Sequence, residues 1–497
     1  MKTAVALFLV GQALGNINAN PIHSPGNPIL GDGTYYSADP APFVHNGSLY
    51  IVAGRDQAAP MQNDFVMNEW QIFKTDDPAT NDWIHYPAIA KSNTLFKWAA
   101  PGRAYAAQLV PGKDGKFYLY APVSQARSSS KDPFGVGVGV SNSPVGPFTD
   151  LHPAGPIVSQ TSPPPGNDIQ NIDPTVLIDD DGRVYMYYGT FGRLKGVELQ
   201  KDMITPIGRS KDYGLPGFFE AAWLMKRKGT YYLVYAANNA GPTSPCTPTS
   251  YHACQAYATA SSPLGPWTFR GVMLDVVTST TSHAGAVEFK GQWYFAYHTA
   301  EAVGSTHFRR SVAIDKLEFD DTKTPPLIKK VRTTHRPKAQ VSTRNVALKA
   351  KASSSRPVPI QYWVKALNDG RIPASPLPPD YWSSYDGDRS PATSTLTYEW
   401  SSPVSISGTR MAFFADQRAG SSIGVAPPAE WHLEYQSGGS WTRIAATYSN
   451  AVSDNPPEIK FPAVNAQAVR AVLTASGQGK HAGIGIKEWE VLAAGAA

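Results

Sequence analysis

Five stretches of the chain repeat one pattern: a short apolar run, a glycine-containing turn, then an aromatic-rich run. They read ADPAPFVHNGSLYIVAG from Ala38, YAAQLVPGKDGKFYLYAP from Tyr105, IDPTVLIDDDGRVYMYYG from Ile172, FEAAWLMKRKGTYYLVYA from Phe219 and SHAGAVEFKGQWYFAYHT from Ser282. Asn-Gly, Asp-Gly and Lys-Gly turns between apolar runs signal β-hairpins. Unbroken apolar runs such as Tyr231 to Tyr235 predict strands covered on both faces. The starts lie about 45–70 residues apart, which leaves room for two more strands per unit. SNSPVGPFTD from Ser141 and SSPLGPWTFR from Ser261 are near-copies at one place in their units. Five units of about four strands predict a five-bladed β-propeller. GVGVG near Gly135 opens no helix, so it reads as a strand and not as a dinucleotide loop.

The texture changes after Phe319. A polar stretch, DDTKTPPLIKKVRTTHRPKAQVSTRN, reads as the closing edge of the propeller followed by a linker at 338–344. From Asn345 onward, runs such as TYEWSSPVSISGTRMAFFADQ and AEWHLEYQSGGSWTRIA alternate like the strands of a β-sandwich. The expected architecture is therefore all-β: a propeller over residues 20–337 and a jelly-roll sandwich over 345–497. Trp400, Trp431, Trp441 and Trp489 fall in alternating strands and are expected in its core. Trp363, Trp382 and Tyr385 fall in Pro-rich stretches, where they form a sugar platform or pack on the propeller. Asn368, Asp369 and Glu488 are candidates to hold a structural calcium ion.

The N-terminus has a basic start, an apolar stretch from Ala4 to Val10 and small residues beyond, which reads as a secretory signal peptide over 1–19, with cleavage near Gly15 or Ala19. An exported chain with two cysteines, Cys246 and Cys254, is expected to form one disulfide. Asn46-Gly47-Ser48 is a glycosylation sequon in a turn. The apolar content of 42% and charged content of 17% are those of a globular chain. The net charge of +5 is spread among acidic residues, which argues against a nucleic-acid partner. No later apolar run is long enough to span a membrane. A secreted monomer is expected.

Aligning the units on Gly47, Gly115, Gly182, Gly229 and Gly291 puts Asp39, Ala106, Asp173, Glu220 and His283 at one position, the start of each first strand. The innermost strands of a propeller line its axis, so these ends converge on one mouth. A carboxylate there costs desolvation energy unless it has a partner or a task. Glycoside hydrolysis needs one carboxylic acid to protonate the leaving oxygen and one carboxylate to activate water. Phe218, Phe219 and Trp223 flank Glu220 and favour its protonated form, so Glu220 is the candidate acid and Asp39 the base, with Asp173 tuning Glu220. Abundant aromatics suit the C–H faces of sugars. There is no HExxH motif and no G-x-S-x-G elbow, which argues against zinc hydrolysis and a serine nucleophile.

SADPAPFVHNGSLYI, NIDPTVLIDDDGRVYMYYG, FFEAAWLMKRKGTYYLVYA, SHAGAVEFKGQWYFAYHT and FRRSVAIDKLEF, in this order over about residues 30–335, resemble glycoside hydrolase family 43. The resemblance implies an inverting glycosidase of five-bladed fold, with Asp39 as general base, Asp173 as pKa modulator and Glu220 as general acid. It places His283 at the axis, beside water or a calcium ion, and requires no other cofactor. It puts Arg310, in preference to Arg309, on the substrate or on Asp173. The second unit reads YAAQLV where many members have Trp-Ala-Pro, and Trp98 just upstream is the candidate to compensate in substrate binding, alongside Phe219 and Trp223. The sandwich order resembles galactose-binding-like (discoidin-like) modules, which implies attachment to polysaccharide. The expected function is a secreted α-L-arabinofuranosidase acting on arabinoxylan or arabinan. The alternatives are a β-xylosidase, a galactan- or galactofuranose-cleaving enzyme, and a non-catalytic carbohydrate-binding propeller.

Overall fold

The computed structural model describes residues 18–60, 62, 64–238, 246, 253–277, 281–334, 341–359, 361–373, 376 and 380–495. Most of the expected leader (residues 1–17) and part of the expected linker (338–340) lie outside the described residues.

The five repeats are the inner hairpins of five antiparallel sheets arranged as propeller blades. The first blade runs from its inner strand Ala38–His45 through Ser48–Gly54, Glu69–Thr75 and Asp82–Lys91 to Asn20–His23 at its rim. The third and fourth blades are regular four-stranded sheets, beginning at Thr175–Ile178 and Phe218–Arg227. The turn glycines Gly47, Gly115, Gly182, Gly229 and Gly291 have φ of 74°, 80°, 84°, 76° and 81°, which only glycine adopts without strain. Both near-copies carry a cis Gly–Pro bond at the same place, Gly146-Pro147 and Gly265-Pro266.

The fifth blade pairs Ala284–Phe289, Gln292–Thr299 and Ser311–Leu317. The N-terminal segment lies along its outer strand: Ile29 N–H donates to Val312 O (2.8 Å), and Ser37 N–H donates to Arg310 O (2.9 Å). The chain after Phe319, expected to close the propeller, instead forms a separate hairpin of Phe319–Asp320 with Leu327–Ile328. Tying the N-terminal segment to the last blade lets the ring close without leaving that strand edge unpaired.

In the C-terminal module, Thr393–Phe414 and Ile459–Thr474 are long strands that pass from one layer into the other. The first half of Thr393–Phe414 also pairs with Lys351–Ser354, and its second half with Gly485–Ala493. Leu396, Tyr398, Phe413, Trp431 and Trp489 fill the space between the layers, and Tyr398 stacks on Trp489 at 4.2 Å. Trp382 belongs to this core at 2% exposure, so it cannot be a sugar platform. Trp441, expected in the core, lies on the edge strand Ser440–Arg443, half-buried beneath the Arg470 guanidinium at 4.3 Å.

The calcium candidates are closed by the protein's own groups. The Asn368 amide donates to Ala347 O and Ala350 O, Glu488 accepts from Asn345 and Gly370, and Lys365 Nζ lies 3.1 Å from Asn368 Oδ1. An ammonium at that oxygen does not fit a cation site. Among the described residues, no group of three or more His, Cys, Asp and Glu side chains could hold a metal ion.

Candidate active site

The repeat position aims its residues by breaking the strand. Asp39 (φ 56°), Asp173 (φ 54°) and Ala221 (φ 58°), which follows Glu220, are all left-handed. Pairing register slips at the same points, between Ala38 and Ala41 and again on either side of Glu220. A bulge re-aims side chains that a regular pleat would put on a sheet face, and each left-handed residue costs on the order of 1–3 kcal/mol. Asp39, Asp173, Glu220 and His283 thereby meet in one cavity of 590 Å³, within the roughly 300–1,000 Å³ usual for ligand clefts. Phe219 and Arg310 also line it, and Phe65, Tyr105, Phe134, Phe191 and Phe308 supply aromatic wall.

Arg310 sets the charge on one side. Its Nη1 donates to Asp39 Oδ1 (2.7 Å), while Nε and Nη2 donate to the two oxygens of Asp56 (2.9 Å each). Arg310, expected on the substrate or on Asp173, lines the cavity and bonds Asp39 and Asp56, because the planar fork of the guanidinium spans two buried carboxylates. Burial pushes the Asp39 carboxyl up, but the adjacent guanidinium together with His298 and His283 more than offsets it and holds the group well below the usual carboxylate range. Asp39 is ionised across the physiological range.

Glu220 lies under the opposite balance. Burial pushes its pKa up to about 7, the negative charge of Asp39 adds to the rise, and a hydrogen bond from Thr190 Oγ1 (2.7 Å) opposes it. Asp173 is raised well above its ordinary value by burial, then by Glu220 and by Asp39. Glu220 and Asp173 hinder one another's ionisation and retain a proton between them at neutral pH. His283 Nδ1 lies 3.9 Å from both Asp39 Oδ1 and Asp173 Oδ2. Burial lowers its pKa to about 4, so it is a neutral imidazole at pH 7. Calcium takes about six to eight oxygens. Of the two carboxylates facing His283, Asp39 is already clamped by Arg310, so these residues do not fit such an ion.

Two predicted substrate contacts are absent from the cavity. Trp223 follows the second register slip and turns between blades, packing where a Cβ on Gly285 would stand 3.0 Å from its ring, with Nε1 donating to Ala286 O. Trp98 fills the space left by Gly137 in the neighbouring strand, and its Nε1 donates to Asp150 Oδ2. Tyr105 and Phe134, stacked at 4.9 Å, form the wall of the second blade instead. Asp56, Thr190 and Gln361 were not foreseen. The Asp56 side chain is wholly buried. Outside the cavity, Cys246 and Cys254 are disulfide-bonded, and Asn46 is exposed in its hairpin turn.

A carboxylate held ionised and a carboxyl with a raised pKa line one aromatic-walled mouth, an arrangement suited to acid–base hydrolysis of glycosidic bonds. The model of glycosyl hydrolases family 43 matches residues 25–325, and the chain belongs to that family. It is similar to a xylosidase/arabinosidase of Bacteroides ovatus, 30% identical over 333 residues, covering 57% of this chain and 92% of the relative. It is also similar to an arabinoxylan arabinofuranohydrolase of Bacillus subtilis (strain 168), 30% identical over 335 residues, 59% of this chain and 61% of the relative. Among solved structures it resembles a family 43 β-xylosidase/α-arabinofuranosidase from a compost microbial metagenome, in complex with xylotriose in a calcium-free form. That match has 26% identity and a TM-score of 0.51, covering 63% of this chain and 98% of the other. The protein is a glycoside hydrolase.

Proposed function

We propose that the protein is a secreted, inverting, exo-acting α-L-arabinofuranosidase that removes arabinofuranosyl groups from arabinoxylan or arabinan. The observation that carries the mechanism is the opposite protonation of Asp39 and Glu220 in one cavity. Glu220 gives its proton to the glycosidic oxygen as the bond to the anomeric carbon breaks. Asp39 takes a proton from a water molecule, whose oxygen attacks that carbon from the opposite face and inverts it. Asp173 tunes the acid: each of the two carboxyls disfavours ionisation of the other, so a proton stays in the acid site at neutral pH. A non-catalytic propeller has no use for this costly arrangement.

The choice of arabinofuranose rests on relatives named for arabinoxylan and arabinose release. β-Xylosidase is the second reading, favoured by a relative named for that activity in Xylanibacter ruminicola and by the xylotriose complex. A galactofuranosidase of Aspergillus niger, 27% identical, supports a third. Secretion is supported by the leader-like N-terminus, the exposed sequon at Asn46 and the disulfide. The C-terminal module is read as galactose-binding-like.

The test is a panel of p-nitrophenyl α-L-arabinofuranoside, β-D-xyloside and β-D-galactofuranoside with arabinoxylan and arabinan, the first-formed anomer being followed by NMR. Arabinofuranoside cleavage and release of arabinose from polymer with inversion are expected. Preference for the xyloside, or a retained anomer, overturns the substrate or the mechanistic reading respectively.

A further inference from the structure

The C-terminal module reaches the catalytic cavity. Gln361, which lies outside the residues matched by the family model, lines the same cavity as Asp39 and Glu220. Two further contacts tie the module to the segment leading into Arg310. The Arg371 guanidinium donates to Ala300 O (3.0 Å), and Asp380 Oδ1 lies 3.2 Å from Nε2 of His307. His307 and Asp380 are both largely buried, with side chains 4% and 11% exposed.

From His307 the contacts lead directly to the base. Phe308 meets the ring of Phe65 edge-on at 4.7 Å, and the Arg310 guanidinium lies 4.9 Å from the same ring. Arg310 in turn clamps Asp39. His307, Phe308 and Arg310 all line the cavity. The loop is therefore bounded by the catalytic base on one side and by the second module on the other.

We infer that the C-terminal module is a wall of the sugar pocket, with Gln361 a specificity-determining residue and Asp380 a positioning residue acting through His307. This deepens the glycosidase reading above and rests on it. The amide of Gln361 is both donor and acceptor, suited to a sugar hydroxyl, and loss of one such neutral hydrogen bond weakens binding by about three- to tenfold. A module that served only to tether the enzyme to polymer would have no part in discrimination between small glycosides.

The test uses the full-length protein and its Gln361→Ala and Asp380→Asn variants on the p-nitrophenyl arabinofuranoside and xyloside. For Gln361→Ala, KM for the better substrate should rise about three- to tenfold with a smaller change in kcat, and the ratio of kcat/KM between the two glycosides should shift. Asp380→Asn should shift the same ratio while the melting temperature stays within a few degrees. Unchanged kcat/KM on both substrates for Gln361→Ala overturns the specificity role. A lower melting temperature with an unchanged ratio for Asp380→Asn overturns the positioning role. If the wild-type enzyme cleaves neither glycoside, the substrate reading fails, and calorimetry with L-arabinose and D-xylose decides the inference: equal affinities for wild type and Gln361→Ala overturn it, and weaker binding to the variant upholds it.

Discussion

The starts of the first and fourth blades occupy one position of the repeat and carry carboxyl groups whose pKa values are shifted in opposite directions. Both break the strand with a left-handed residue, Asp39 itself in one and Ala221 beside Glu220 in the other. Both place a carboxyl in the same cavity. Asp39 receives two bonds from a buried guanidinium, while Glu220 receives one from a threonine hydroxyl. Burial raises both groups, and only at Asp39 do a guanidinium and its neighbouring histidines together reverse the effect. The repeat thus sets where the carboxyls point, and neighbours outside the repeat set which one keeps its proton.

Erasing the difference at Glu220 has the largest expected effect. Glu220→Gln retains the shape and cannot give up a proton, so kcat on arabinoxylan should fall about 10²–10⁴-fold. The loss should be smaller on p-nitrophenyl glycosides, whose leaving group needs little protonation. Wild-type turnover on the polymer by this variant would show that another group is the acid.

Weakening the other side comes next. Arg310→Lys keeps a positive charge but loses the fork that serves Asp39 and Asp56 together. The Asp39 pKa should rise toward the ordinary range, because a charge-assisted bond to the carboxylate is removed. The base must be ionised to act, so the acid limb of the kcat/KM profile should move upward, by about one pH unit or more. An acid limb that stays in place would separate Arg310 from the base. Breaking a buried ion pair outright costs about 3–5 kcal/mol, so a neutral substitution such as Arg310→Met should instead show as a lower melting temperature.

Aligning the repeats on their turn glycines was enough to bring Asp39, Asp173, Glu220 and His283 together, because topology makes equivalent positions neighbours. Side-chain direction was less legible. Nearness in the sequence places Trp223 beside Glu220, but the register slips between them and it packs between blades. Trp98 is the sequence's candidate to compensate for the missing Trp-Ala-Pro, but Gly137, in another strand, makes room for it away from the cavity. The cause of the raised acid, burial with a neighbouring negative charge, was legible, but not its source: Asp39 supplies the charge, and Trp223 lies in the core. Asp56 and Gln361 sit outside the repeat, one in a loop and one in the second module, where no periodicity marks them. In the sandwich, alternation over the first part of Thr393–Phe414, from Thr393 to Trp400, made the core readable, while Trp382, in a Pro-rich stretch, carried no such signal.

The smallest change sharpens the comparison at Glu220. The hydroxyl of Thr190 donates to Oε2 and so favours the ionised carboxylate, opposing the burial that holds the pKa at about 7. Thr190→Val keeps the shape and removes the donor, and the pKa of Glu220 must then rise. The acid works only while protonated, so activity is lost as pH climbs through this pKa, and the alkaline limb should move upward. A hydrogen bond to a charged group is worth about 1.5–3 kcal/mol, which corresponds to roughly one to two pH units, and partial replacement by water brings the expected shift to about one unit. The acid limb, set by Asp39 and Arg310, should stay where it is. Full kcat/KM profiles of both proteins on one glycoside measure the two limbs independently. An alkaline limb that stays fixed or moves down would mean that Glu220 does not govern it; movement of both limbs would mean that the two carboxyls titrate as one unit rather than under separate neighbours.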